Sequence, residues 1–163
     1  MASQVTRRLI YGSLMAALIA LMTAYFKLPV PVTNGYVHLG DGAIFLCALL
    51  LGPFAAIPAA VGSALADALF GYYIYILPTF LIKGLIGLIA GLAAGKTPRF
   101  TVRKLCVWTL CGLVMTGGYF LFETLFYGIG ASLAAVIPNL IQAAAGVIIG
   151  CLFIPVVRKL PPM

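Results

Sequence analysis

Charge is what this sequence has least of. Of 163 residues, 8% are charged and 64% are hydrophobic, and the mean hydropathy is +1.18. A soluble domain carries about 25% charged residues. A water-facing surface is therefore excluded, and the chain reads as an integral membrane protein. Acidic residues are scarcer still: Asp41, Asp67 and Glu123 are the whole supply, beside one histidine, His38. That leaves no metal-ligating set and no nucleophile–base pair, so neither an enzyme nor a metal or other cofactor is expected. The four cysteines, Cys47, Cys106, Cys111 and Cys151, lie in apolar runs without a C-x-x-C spacing. They read as small buried hydrophobes. No repeat and no linker divides the chain, so residues 1–163 are expected to form one membrane domain.

What is present is a series of apolar runs. They predict an all-α protein with helices over about 9–26, 42–51, 54–70, 78–95, 105–127 and 138–157. The first run follows Arg7 and Arg8 and imitates a signal peptide. It is longer than a typical signal core and further spans follow, so it reads as a membrane helix. Basic residues cluster at Arg7/Arg8, at Lys96/Arg99/Arg103/Lys104 and at Arg158/Lys159. Short loops rich in Lys and Arg stay in the cytoplasm, so the net charge of +7 reports orientation rather than nucleic-acid binding. An odd number of crossings must then lie between Lys27 and Lys96. Splitting the second run at Gly52-Pro53 supplies three; one long helix kinked at Pro53 supplies two. Six spans with both termini cytoplasmic is the consistent solution, in the plasma membrane. Pro78 and Pro138 are each expected in the first turn of a helix, where proline costs little.

On this topology the polar residues fall at one depth. His38 and Asp41 precede or open helix 2, and Asp67 is near the outer end of helix 3. Lys83 is just over a turn into helix 4, Glu123 is near the outer end of helix 5, and Asn139 and Gln142 are in the first turns of helix 6. A charge at the centre of a membrane helix costs about 2.5–3.5 kcal/mol. Each residue alone has a plain explanation: a helix cap at Asp41, an ion pair between Asp67 and Lys83, snorkelling at Glu123. Their convergence points instead to an outward-facing ligand site. Tyr25, Tyr36, Tyr72, Tyr73, Tyr75 and Tyr127 lie near the same face. A belt of interfacial aromatics explains some; Tyr72 and Tyr75 are expected against a planar ligand. The stretch "AGLAAGKT", Ala90 to Thr97, only imitates a phosphate loop, since it closes a membrane helix instead of joining a strand to one. Gly95 reads as a helix stop.

Helix 1 carries small residues at Gly12, Ala16, Ala20 and Ala24, a spacing that admits a second helix closely. With the frame "DGAIFLCALLLGP…GSALAD…PTFLIKGLIGLIAG…PNLIQAAAG", the chain resembles the substrate-binding S components of energy-coupling-factor (ECF) vitamin transporters. The resemblance covers nearly the whole chain. It implies capture of a vitamin from outside and assembly with a transmembrane coupling subunit and two ATPase subunits. It implies that Ala16 and Ala20 touch the coupling subunit, and that Leu28–Gly40 and the Gly71–Leu77 turn close over the ligand. The frame is most similar to the group for pyridoxine-type or hydroxymethylpyrimidine substrates. Three carboxylates against Lys83 favour a neutral or cationic ring, and pyridoxamine (vitamin B6) fits best, with hydroxymethylpyrimidine as the alternative. A structural subunit without ligand would instead tolerate loss of every outer polar residue. A channel would carry polar residues through the inner halves, which read "LIGLIAGLAAG" and "AAGVIIGCLF".

Overall fold

The computed structural model describes residues 4–95 and 99–159. Within these residues six α-helices run α1 (Gln4–Tyr25), α2 (Gly40–Leu51), α3 (Ala56–Leu69), α4 (Ile76–Ala94), α5 (Val102–Tyr127) and α6 (Ile129–Val157). Among the described residues, five helical stretches are long and apolar enough to cross a membrane, if Gly40–Leu69 is taken as one. That stretch is not one rod. A single 3-10 turn, Gly52–Ala55, separates α2 from α3, and the neighbours of each show a reversal. Asp41, at the start of α2, pairs with Lys83 of α4, while Gly52, just past its end, lies against Gly91. α3 runs the other way along α4: Ala55 and Ala59 face Gly87, and Ala60 faces Gly84. Asp41 and Asp67 therefore come back to the same end. At 12 residues, α2 is about 18 Å long against an apolar bilayer core of about 30 Å. It begins at the level of Lys83, the eighth residue of α4.

α2 lies between α1, α4 and α6, and α5 joins α4 to α6. The core is centred on α2. Phe45 stacks on Trp108 with centroids 4.8 Å apart, among Ile19, Ile44, Cys47, Ile86 and Met115. Away from Asp41 and Lys83, small residues bring backbones together. A side chain at Gly62 would strike the Ala16 carbonyl, one at Gly87 the Ala55 carbonyl, and one at Gly91 the Gly52 carbonyl. Gly52 itself has φ +59°, a left-handed value that costs glycine nothing. The basic residues Arg7, Arg8, Arg99, Arg103, Lys104, Arg158 and Lys159 flank the helix ends at this close-packed pole. Lys96, Thr97 and Pro98, which carry part of the basic cluster and of the phosphate-loop imitation, lie outside the described residues. Gly95 does stop α4, with φ +69°.

Three expectations need correction. The segment after α1 is not a plain loop but an antiparallel hairpin, β1 (Lys27–Val30) with β2 (Gly35–His38), Lys27 opposite His38. Asn34 turns it with φ +50°, a conformation asparagine tolerates. Pro138 does not open the last helix. α6 starts at Ile129 after Gly128, and Pro138 is interior, so Asn139 and Gln142 sit about three turns in rather than in the first turns. Pro78, by contrast, is in the first turn of α4. The small-residue stripe on α1 is mostly inside: Gly12, Ala20 and Ala24 are buried, Gly12 under Phe54 and Ala16 with its backbone against Gly62. Only its Gly12–Ala16 end borders a shallow groove of about 130 Å³, with Leu9, Phe54, Ile57 and Val61.

Candidate functional site

At the other pole a small cavity is lined by Gly35, Tyr36, His38, Asp67, Tyr75, Thr79, Tyr119, Glu123, Asn139 and Gln142. The hairpin and α3, α4, α5 and α6 all contribute. Six of the nine residues singled out from the sequence meet there: His38, Asp67, Tyr75, Glu123, Asn139 and Gln142. Alternation along β2 turns Tyr36 and His38 to the same side. The free space is about 20 Å³, enough for one water and too little for a ring.

Asp67 and Glu123 are 2% and 4% exposed. Asp67 Oδ1 accepts from the Tyr36 hydroxyl at 2.6 Å. Glu123 Oε1 lies 3.2 Å from the Tyr75 hydroxyl, but that hydroxyl also reaches the Thr33 carbonyl at 2.8 Å. A phenol has one proton, and the shorter contact has the stronger claim on it. The second oxygens, Asp67 Oδ2 and Glu123 Oε2, are buried and make no hydrogen bond of normal geometry among the described residues, although the Thr79 hydroxyl stands beside Asp67 and the Thr33 hydroxyl beside Glu123. Thr79 and Tyr119 bond each other at 3.0 Å on the same side of the cavity.

The remaining three expected residues stand elsewhere. Asp41 and Lys83 do not line the cavity. They form a buried ion pair beside it, Nζ to Oδ1 2.6 Å, with Lys83 0% exposed. Lys83 therefore pairs with Asp41, not Asp67, and Asp41 is not a cap: its second oxygen accepts from Gln142 Nε2 at 2.8 Å. Met115 Sδ lies 2.9 Å from Lys83 Nζ, and the Tyr119 ring centroid is 5.6 Å away. Tyr72 lies outside the cavity, its ring 4.4 Å from that of Tyr36.

Burial pushes the Tyr36 phenol upward, helped by the Asp67 carboxylate, so Tyr36 stays a neutral donor. Burial also lowers His38, with the Lys83 charge adding to it, to about 3. The imidazole is thus neutral. Its Nδ1 accepts from the Gly40 backbone N–H at 3.0 Å, which leaves the proton on Nε2.

Tyr36, Thr79 and Tyr119 were not predicted as site residues. For two of them a cue existed: Thr79 is four residues before Lys83 and Tyr119 four before Glu123, spacings that share a helix face. The tyrosines divide as the belt argument allows. Tyr25 and Tyr73 are 78% and 71% exposed, while Tyr75 and Tyr119 are 5% and 8% exposed. Beyond His38 and Gln142 lies a second hollow of about 390 Å³, walled by apolar Phe26, Leu28, Val37, Leu39, Ile141 and Ala145.

Comparison with known proteins agrees with a membrane transport role. Residues 3–159 match the family described as ECF-type riboflavin transporter, S component. A Pyrococcus woesei chain described as an uncharacterized protein in the gap 3′ region is 37% identical over 133 residues, 81% of this chain and 88% of that one. The thiamine precursor transporter HmpT of Lactococcus lactis subsp. cremoris is 28% identical over 155 residues, 94% and 89% of the two chains.

Proposed function

The chain belongs to the membrane-integral family of ECF-type transporter S components, and on that premise we propose that it captures a small, amine-bearing heteroaromatic ring for import, a hydroxymethylpyrimidine-type thiamine precursor before vitamin B6. S components bind a small vitamin or precursor and work with a transmembrane coupling subunit and ATPases. The observation that carries the ligand reading is the pair of buried, unpartnered carboxylate oxygens on Asp67 and Glu123. An amine-bearing ring presents N–H donors that suit these open oxygens as charge-assisted hydrogen bonds. Tyr36, Tyr75 and Tyr119 supply faces for a flat ring. Asn139 and the His38 Nε2–H can meet its remaining polar atoms. The sequence reading preferred pyridoxamine; the relatives give B6 no support, whereas HmpT is named for a thiamine precursor.

Because the cavity is so small, ligand binding requires the hairpin and the Gly71–Leu77 turn to move outward and close again. The reading takes six crossings with both termini cytoplasmic, supported by the α2–α3 reversal and by the basic residues gathered at the close-packed pole. The coupling subunit would then meet the groove at Gly12 and Ala16 rather than the whole α1 stripe, and Ala16→Trp should spare binding while abolishing uptake. Labelling at position 100 by an impermeant reagent from outside would refute the topology.

The ligand test is calorimetric titration of the solubilised protein with hydroxymethylpyrimidine, pyridoxamine, pyridoxine and riboflavin. Tightest binding of hydroxymethylpyrimidine is expected. Tighter riboflavin binding would transfer the reading to the ligand in the family's description, and tighter pyridoxamine binding would restore the B6 assignment.

A further inference from the structure

The hairpin is tied down in two different ways. Near its turn, Tyr36 bonds Asp67 Oδ1, and the Thr33 carbonyl accepts from Tyr75. Asp67 and Tyr75 both line the cavity, so a ligand that engages them competes with these ties. At its base, the His38 backbone N–H donates to Gln142 Oε1 at 2.8 Å. Gln142 Nε2 in turn donates to Asp41 Oδ2, whose other oxygen holds Lys83. The Gln142 amide has no freedom to flip: a carboxylate can only accept and a backbone N–H can only donate. The base is also held on the α3 side, where the Lys27 ammonium sits 4.0 Å from the Phe70 ring centroid.

We infer that Gln142, oriented by the Lys83–Asp41 ion pair, is the pivot about which the hairpin opens. The turn leaves the cavity while the base stays fixed to α6 and α2. Asp41 and Lys83 are then positioning residues that act on ligand capture through Gln142 without touching ligand. The His38–Gln142 bond is also the partition between the polar cavity and the apolar hollow, since both residues line both. Keeping it intact confines the ligand to the polar side. This inference rests on the reading that ligand binds between Asp67 and Glu123.

The test begins without ligand, so that its failure is separable from a wrong ligand. In a background lacking the native cysteines, opening is read as the rate of modification with a bulky maleimide, relative to Val32→Cys at the hairpin turn, which is 55% exposed. The site facing the cavity is sampled by Gly35→Cys. A second background retaining only Cys111, which is fully buried, reports general loosening. Gln142→Met should label about tenfold faster at position 35, as loss of a hydrogen bond to a charged network predicts, with Cys111 still protected. Position 32 serves as the always-accessible reference. Asp41→Asn with Lys83→Met, which neutralises both members of the pair, should shift position 35 in the same direction. If Gln142→Met does not accumulate folded, Gln142→Asn, too short to span both partners, is read instead. Parental labelling in the Gln142 variants overturns the pivot, even if affinity falls, because a direct ligand contact would change affinity alone. Parental labelling in the double variant removes Asp41 and Lys83 from the mechanism. Labelling of Cys111 together with position 35 assigns Gln142 a general structural role and also overturns it.

Discussion

Two acidic centres lie side by side in this protein, and they are built on opposite plans. Asp41 has both oxygens engaged, one by Lys83 and one by Gln142. Asp67 and Glu123 each have one oxygen near a tyrosine and the other unbonded among the described residues. Burial is similar: the three residues are 3%, 2% and 4% exposed. The difference is therefore one of saturation. A closed network gains nothing from a ligand and serves the fold. An open one keeps hydrogen-bonding capacity in reserve, at a cost in stability that ligand binding offsets. The contrast separates scaffold from site where depth alone could not.

The sharpest way to break this contrast is Lys83→Met. It strands Asp41 as an uncompensated buried charge and should cost about 3–5 kcal/mol, seen as a large fall in thermal midpoint in detergent. Adding Asp41→Asn should recover much of that loss. A neutral single variant would mean that Asp41 is not held as a charge. Next in size, Asp67→Asn and Glu123→Gln should weaken ligand binding about ten- to hundredfold, the scale of a charge-assisted hydrogen bond of about 1.5–3 kcal/mol. Their melting should fall little or rise. Variants that melt early and bind normally would reverse the roles of the two centres.

A smaller effect, per unit of pH, is expected on mild acidification. His38 is neutral in the folded protein, lowered to about 3 from 6.5. The unfolded chain binds the proton first, so stability is full above about pH 6.5. It falls as pH drops toward 3, by about 1.4 kcal/mol per unit. His38→Gln should flatten that part of the profile. The smallest change is Tyr36→Phe, which removes one bond to Asp67 and should alter stability by about 1 kcal/mol. It should also loosen the hairpin turn without affecting its base, measured as faster modification at position 35.

Much of this was legible before any coordinates. Scarcity of charge identified a membrane protein, and a shared depth picked out Asp67, Glu123, Asn139, Gln142, His38 and Tyr75 together. The reversal at Gly52-Pro53 was visible because positive charges must end on one side. What stayed hidden depended on packing. Nothing local says that Lys83 pairs with Asp41 rather than Asp67, since both lie within reach of α4. Pro138 resembled a helix start, yet α6 begins at Ile129, nine residues earlier, and neighbouring helices sustain it past the proline. The α1 stripe had the spacing of a docking face, but the same spacing suits packing within the chain, where Gly12 meets Phe54 and Ala16 meets Gly62.

The close-packed pole has a consequence that is electrical. Among the described residues, Gly62, Gly87 and Gly91 bring backbones into contact below the cavity, which leaves little room there for water. A membrane potential falls across whatever stretch excludes water. With the cavity facing outward as proposed, nearly all of the voltage would drop below Lys83 and Asp41. The ligand would then bind at the potential of the external medium. A cationic ring should dock with the same affinity in polarised and depolarised vesicles, and the work of carrying its charge inward would fall entirely on the later, ATP-driven step.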